Sequence, residues 1–267
     1  KTAPVTSVTF TSTTEMYAYE CPYEGLFGII GNDWYLYSST NGWVLKPPTN
    51  LPYLALIAKG DDFYFQFSND LQYSTNQGRT WINLPMYETS PYFASGTTIL
   101  LKSTNTPNEW EGIGRLGTGG GAFDVSGNPL SLSYGDNFTG GTIRDYEFVG
   151  LFNFNNSLEN ASGMTLSSTT LGIDCYRLMF ESCGSLVSAP TLPATTLVSG
   201  CYNQMFAYCY SLSAITCLAT DISATNCTNN WVYGVSETGT FVKNPSMSSW
   251  TTGTSGIPSG WTVVDNS

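Results

Sequence analysis

A period of 26 to 28 residues in the second half of the chain limits its fold more than any other feature. Three blocks align, FNFNNSL (152–158), FESCGSL (180–186) and FAYCYSL (206–212), spaced by 28 and then 26 residues. Around the latter two, Cys175-Tyr176 with Met179-Phe180 and Cys201-Tyr202 with Met205-Phe206 are again 26 apart. Cys227 lies 26 residues further on, in a degenerate copy ending in Trp231-Val232. A fixed period in this range marks a solenoid. No unit of a solenoid buries its apolar face alone; stacking on its neighbours does so.

Each unit reads as a short extended run, a turn and a short helix. SLVSA (185–189) and SLSAI (211–215) supply runs that stack as parallel strands, and Leu192, Pro193 and Leu197 turn the chain. CYxxMFxxC then sets Cys201, Met205 and Cys209 at i, i+4 and i+8, the inward face of a helix of one to two turns. Corresponding residues of successive units fall about 4.8 Å apart and form ladders. Phe152, Phe180, Phe206, Leu158, Leu186 and Leu212 are the expected core. Caps are needed to stop edge pairing: 123–138 at the start, and 228–263 at the end, where Trp231, Trp250 and Trp261 cover the last rung.

The signature F-x-x-C-x-S-L, followed by a short strand and a Leu-Pro step, resembles the BspA-type leucine-rich repeats of Bacteroidetes surface proteins. It occurs twice in full and once with Asn155 in place of Cys. The C-Y-x-x-M-F variant, LPATT (192–196), FDVSGNPLSLSYGDNF (123–138) and the closing stretch from Thr225 to Val263 are similar to a subgroup found in gut Bacteroides and their phages. The resemblance covers about residues 123–267 and implies a scaffold. With so few repeats, it implies only a small concave surface.

The first 112 residues follow another regime. VTSVTFTS (5–12), DWYLYSS (33–39), DFYFQFS (62–68) and TTILLKS (97–103) alternate with period 2 and are cut by turn residues, which argues antiparallel strands. NDWYLYSSTNGWVLKPP (32–48) lines up with NDLQYSTNQGRTWINLP (69–85), each a hairpin returning a Trp, Trp43 or Trp81, to the core. STNQGRTW (74–81) is similar to the Asp-box of sialidases with Asn in place of Asp. A turn-stabilising device accounts for it: the Asx side chain bonds turn amides and Gly takes the positive φ. GTGGGAF (117–123) lacks the Gly-Lys-Ser/Thr of a phosphate loop and reads as a flexible crossing. The fold expected is mainly β: an antiparallel β-sandwich-like domain over 1–112, then a short leucine-rich-repeat solenoid with parallel strands and short helices over 113–267.

Composition limits the chemistry. The chain has no histidine, nine Lys+Arg against twenty Asp+Glu, and a net charge of −11. Triads built on His and imidazole metal sites are excluded, and a phosphate-tracking groove is not supported, so nucleic acid is not an expected partner. No run of about 20 apolar residues predicts a membrane span. The seven cysteines are open to three readings: buried apolar thiols, disulfides such as Cys175–Cys201, or metal ligands, the last weakened by the absence of C-x-x-C. The carboxylate pairs Asp61/Asp62, Glu109/Glu111 and Asp145/Glu147 lack neighbours that would split their acidities. No catalytic residue, cofactor or metal is therefore expected.

The expected function is a non-enzymatic, surface-displayed recognition or adhesion module contacting glycan or protein, extracellular on a bacterial or virion surface. A phage tail or head fibre component is the alternative, and a glycan-active hydrolase a second. In the solenoid, Ser188, Thr191, Ser213 and Thr216 are expected to point out of the parallel sheet; they are small and offer few anchors. In the first domain, Trp34, Tyr35, Tyr37, Tyr64 and Tyr73 alternate on strands, so some must leave the core, and an aromatic patch there is the expected binding surface. The alternative is that these rings fill the core.

Overall fold

The computed structural model describes residues 52–103, 112–140, 143–248 and 250–267, together with the backbone of five strands before them. Those strands are β1 (Val8–Phe10), β2 (Met16–Cys21), β3 (Gly25–Ile30), β4 (Asp33–Ser38) and β5 (Gly42–Leu45). They pair in sequence order as an antiparallel meander. Residues 1–51 with 76–80 form one compact unit; residues 52–75 and 81–267 form the other.

The second unit is built on a six-stranded mixed sheet. Its strands are β6 (Leu54–Ala58), β8 (Leu71–Ser74), β9 (Ile82–Leu84), β10 (Thr98–Ser103), β12 (Phe123–Gly127) and β13 (Leu158–Met164), in the order β13-β12-β6-β10-β8-β9. β12 pairs antiparallel with β6 on one edge and parallel with β13 on the other. The chain therefore divides near residue 51, and the boundary expected at 112/113 falls inside a continuous sheet. The expected leading cap, 123–138, is likewise a junction: β12 is hydrogen-bonded on both edges and is followed by the one-turn α1 (Ser131–Tyr134).

The glycine-rich stretch misleads because glycine has two uses. Here β11 (Leu116–Gly119) pairs antiparallel with β7 (Tyr64–Phe67). Gly120 has φ +78°, and a Cβ there would stand 1.7 Å from the Asp62 carbonyl oxygen. The glycines serve close backbone approach, not flexibility. The Asn76 side chain behaves as the turn chemistry predicts: its Oδ1 accepts from Thr80 N–H at 3.0 Å, with Gly78 at φ +79°.

From β13 onward the rungs are parallel. Asn160 bridges to Ser188, Ser188 to Ala214, Ala214 to Thr240, and Thr240 to Thr262. The last three belong to β14 (Ala214–Cys217), β15 (Thr240–Lys243) and β16 (Thr262–Asp265). On the other side of the stack two ring columns fill the interior. Phe152, Phe180 and Phe206 stack with centroids 5.3 and 5.6 Å apart. Phe148, Tyr176, Tyr202 and Trp231 form the second column at 5.7, 6.0 and 6.3 Å. Cys175, Met179, Cys183, Cys201, Met205 and Cys209 are all fully buried beside them. At the far end Trp250 stacks on Trp231 at 5.7 Å, and Trp261 is buried.

The helices expected in each unit are absent. Segments such as 172–183 and 198–209 are chains of turns in which every fourth residue is left-handed: Asp174, Leu178 and Ser182 in one, Gly200, Gln204 and Tyr208 in the next. Each turn closes on itself, as in Met179 N–H to Tyr176 O at 3.2 Å and Cys183 N–H to Phe180 O at 3.1 Å. Alternate N–H groups instead cross to the next rung: Tyr176 to Cys201 O at 3.0 Å, Leu178 to Asn203 O at 3.0 Å, Phe180 to Met205 O at 2.9 Å. An α-helix would direct its N–H groups to its own i−4 carbonyls and leave little to join the rungs. A left-handed non-glycine residue costs roughly 1–2 kcal/mol, and the cross-rung bonds offset it.

Candidate functional site

The turn chains that carry the buried columns also present an outward row. Their non-glycine left-handed residues are all exposed or half-buried. The last one in each chain occupies an equivalent place in successive rungs: Phe154 N–H donates to Glu181 O at 2.9 Å, Ser182 to Ala207 O at 2.8 Å, and Tyr208 to Tyr233 O at 2.7 Å. Two residues further on lie Asn156, Gly184 and Tyr210.

In the third rung both outward positions are tyrosines, and the fourth adds Tyr233. Tyr208 meets Tyr233 edge to face, centroids 5.2 Å apart at 78°, and meets Tyr210 at 6.3 Å and 62°. The three are 38%, 66% and 46% exposed for Tyr208, Tyr210 and Tyr233. Glycines on adjacent rungs lie beneath them. A Cβ on Gly234 would touch Tyr208 at 3.6 Å and Tyr210 at 3.7 Å, and one on Gly184 would touch Tyr210 at 3.5 Å. One rung back the surface drops to Ser182 and Gly184, and beyond them stands Phe154, 55% exposed, with the Arg115 guanidinium 5.4 Å from its ring centroid. The Asn156 Oδ1 accepts from Gly184 N–H at 3.2 Å.

The residues singled out from the sequence do not form this cluster. Trp34, Tyr35 and Tyr37 belong to β4, and their side chains lie outside the described residues. Tyr73 is 4% exposed and packs against Phe65 and Phe93, so it is core and not part of a contact surface. Tyr64 is half-buried, edge to face with the exposed Tyr92 at 5.6 Å. Ser188, Ser213 and Thr216 are half-buried on the parallel rungs and Thr191 is exposed. The alignment of the repeats held the signal for the tyrosines. Tyr208 and Tyr210 fall where Ser182 and Gly184 stand in the preceding copy, so the core does not require rings there.

The polar groups of the interior are engaged in structure. Glu147 is buried and accepts from Arg144 N at 2.9 Å, Arg144 Nε at 2.8 Å, Arg144 Nη2 at 2.7 Å and the Ser133 hydroxyl. Asp145 Oδ1 accepts from Ile173 N–H at 2.7 Å. The carboxylate pair Asp145/Glu147 is thus spent on tying α1 and successive rungs together. The six cysteines from Cys175 to Cys227 are free and buried. Burial pushes the Cys183, Cys201 and Cys217 thiols up to about 12, which holds them protonated and unreactive. Cys183 and Cys209 donate to the Phe152 and Phe180 carbonyls of the preceding rung, each at 3.0 Å. No group of three metal-ligating side chains occurs among the described residues, and no helix there is long and apolar enough to cross a membrane.

No family model, curated protein or solved structure matches the chain.

Proposed function

We propose that this chain is a non-enzymatic recognition or adhesion module displayed outside the cell on a bacterial surface. The parallel rungs from β13 onward act in it as a short BspA-like leucine-rich-repeat solenoid. The observation that carries the reading is the exposed cluster of Tyr208, Tyr210 and Tyr233 on a rigid stack. Tyrosines bring large contact area with few rotatable bonds, which suits a recognition surface. The solenoid reading is supported by the parallel bridges from Asn160 to Thr262 and by the two ring columns at the repeat spacing. The thiols and the Asp145/Glu147 carboxylates are committed to internal bonds, which favours binding over turnover.

The test is adhesion of the full chain to whole cells and to mucin-coated surfaces, beside the variant Tyr210→Ala/Tyr233→Ala. Adhesion by the native chain that the variant loses supports the reading. No adhesion by the native chain, or equal adhesion by both, refutes it.

A further inference from the structure

We infer that the Tyr208–Tyr210–Tyr233 cluster is a binding site for a neutral saccharide, with the step over Ser182 and Gly184 as its polar floor. This rests on the recognition reading above and names the ligand class.

Geometry favours a sugar over a protein. Three half-exposed tyrosines offer roughly 300 Å² of ring surface, taking about 200 Å² for a whole side chain. A stable protein interface needs about 800 Å² from each partner. A patch of this size fits one or two pyranose rings. The rings stand at 62° and 78° to one another, so the cluster presents faces in different directions and is not a flat apolar plate. A pyranose has one C–H face that stacks on a ring and a rim of hydroxyls that needs hydrogen-bond partners beside it.

Those partners are present. Equivalent residues of adjacent rungs are about 4.8 Å apart, so Phe154 and Tyr208 stand about 10 Å apart with a single small rung between them. Gly184 floors that step beneath the edge of the Tyr210 ring, and the Ser182 hydroxyl donates to Glu181 Oε1 at 3.0 Å, which leaves its oxygen to accept from a sugar hydroxyl. Asn156 is exposed, uses its Oδ1 on Gly184 N–H, and makes no hydrogen bond through Nδ2 to another described residue. The Tyr208, Tyr210 and Tyr233 hydroxyls make no hydrogen bond to another described residue, which leaves three more donors for sugar oxygens.

Charge narrows the ligand to a neutral one. The three rings carry no charge, and Arg115 stands at Phe154 with its Nε on the Asn153 carbonyl at 3.0 Å. An anionic sugar would meet a chain of net charge −11 and, at the step itself, the Glu181 carboxylate bound to Ser182.

The experiment is a glycan array of neutral, sialylated and sulfated oligosaccharides probed with the full chain. Saturation-transfer NMR on the best neutral ligand follows. Tyr210→Ala and Tyr233→Ala are compared with Tyr92→Ala, an exposed tyrosine outside the cluster. The expected result is retention of neutral glycans, weakened tenfold or more by each cluster variant, unaltered by Tyr92→Ala and unaltered by a roughly tenfold rise in salt, since no ion pair is involved. Circular dichroism confirms that the variants are folded; Tyr210→Phe keeps the ring but loses one donor, and binds more weakly than the native chain and more tightly than Tyr210→Ala. Retention of acidic glycans only overturns the inference, as does loss on Tyr92→Ala in place of the cluster variants. Adhesion to cells that depends on the cluster but is not competed by any neutral glycan also overturns it, points to a protein ligand, and leaves the recognition reading standing. Absence of both adhesion and glycan retention overturns the two together.

Discussion

Phe180 has a ring on each side, Phe152 at 5.3 Å and Phe206 at 5.6 Å, and no exposure. Truncation to Ala removes both contacts and leaves a cavity that two stacked rungs cannot close. The expected loss is about 3–5 kcal/mol, read as a lower urea midpoint at unchanged slope. The cysteines make a second expectation at this scale. In the unfolded chain a thiol ionises near its ordinary value of about 8.5. In the folded chain Cys183, Cys201 and Cys217 hold their protons to about 12. Between those values the folded state binds more protons than the unfolded one. Stability contributed by these thiols is therefore complete below the unfolded value and declines as pH rises toward 12. Thermal melts in steps from pH 7 to 11 should show a falling midpoint above pH 9, eased by replacing the three with Ala or Ser only if the replacement packs. At pH 8 the native chain should leave these thiols unmodified by a disulfide reagent until denaturant is added. Rapid labelling of Cys183, Cys201 or Cys217 in the native chain, located by peptide mapping, would contradict the buried placement.

At the scale of elements, the antiparallel β7–β11 pair tests why the glycines beside it are there. Gly120→Ala must place a methyl 1.7 Å from the Asp62 carbonyl at a φ of +78°. Gly117, in the same run, has nothing within 4 Å of the same added atom. The first change should destabilise the chain by at least about 2 kcal/mol and the second by less than about 0.5 kcal/mol, both by chemical denaturation. Equal effects would return the segment to a flexible crossing. The same pair shows how far the sequence could be read. The inward residues of each rung were legible because Cys, Met and Phe recur at a fixed spacing, and a recurring apolar position is a buried one whatever the backbone does. The backbone itself was not legible. A turn chain repeats every 4 residues and an α-helix every 3.6, and over the nine residues from Cys201 to Cys209 the two place the same side chains inward. Leu178 and Tyr208 in left-handed conformations run against local preference, so only the cross-rung bonds, which are not local, decide the matter. The binding surface was missed for a related reason. Aromatic alternation marks Tyr64 and Tyr73 alike, but Tyr73 turns inward and Tyr64 lies half-buried against Tyr92, while Tyr208 and Tyr210 flank a buried Cys209 and read as core neighbours.

At the scale of the second unit as a whole, the parallel strands end at β16, and that end is where the unit is most easily damaged. β15 and β16 extend the parallel sheet beyond β14, and the segment between them sets Trp250 against Trp231 and Phe241. Trp231 Nε1–H donates to Gly256 O at 2.8 Å, and Trp261 Nε1–H donates to Ser236 O at 2.8 Å. The two tryptophans thus pin the last coil to the one before it. β16 ends the sheet as a four-residue strand whose Asp265 pairs with Lys243 on β15 at 2.5 Å, a short and charged edge of the kind that discourages further pairing. Deleting residues 240–267 removes all of this at once. The β14 edge loses its parallel partner, and the fully buried Trp231 loses its cover. The deleted segment carries one lysine and one aspartate, Lys243 and Asp265, so the net charge of −11 and its mutual repulsion between copies are unchanged. Any loss of solubility then reports the uncovered edge and ring, not a change in charge. The truncated chain should aggregate at concentrations where the full chain scatters no light, and Trp250→Ala alone should lower the melting midpoint while leaving the chain soluble, because β15 and β16 still close the sheet. A truncated chain that stays monomeric and melts cooperatively would show that the rungs up to β14 are self-sufficient, and that the closing segment is an addition to the stack and not its cap.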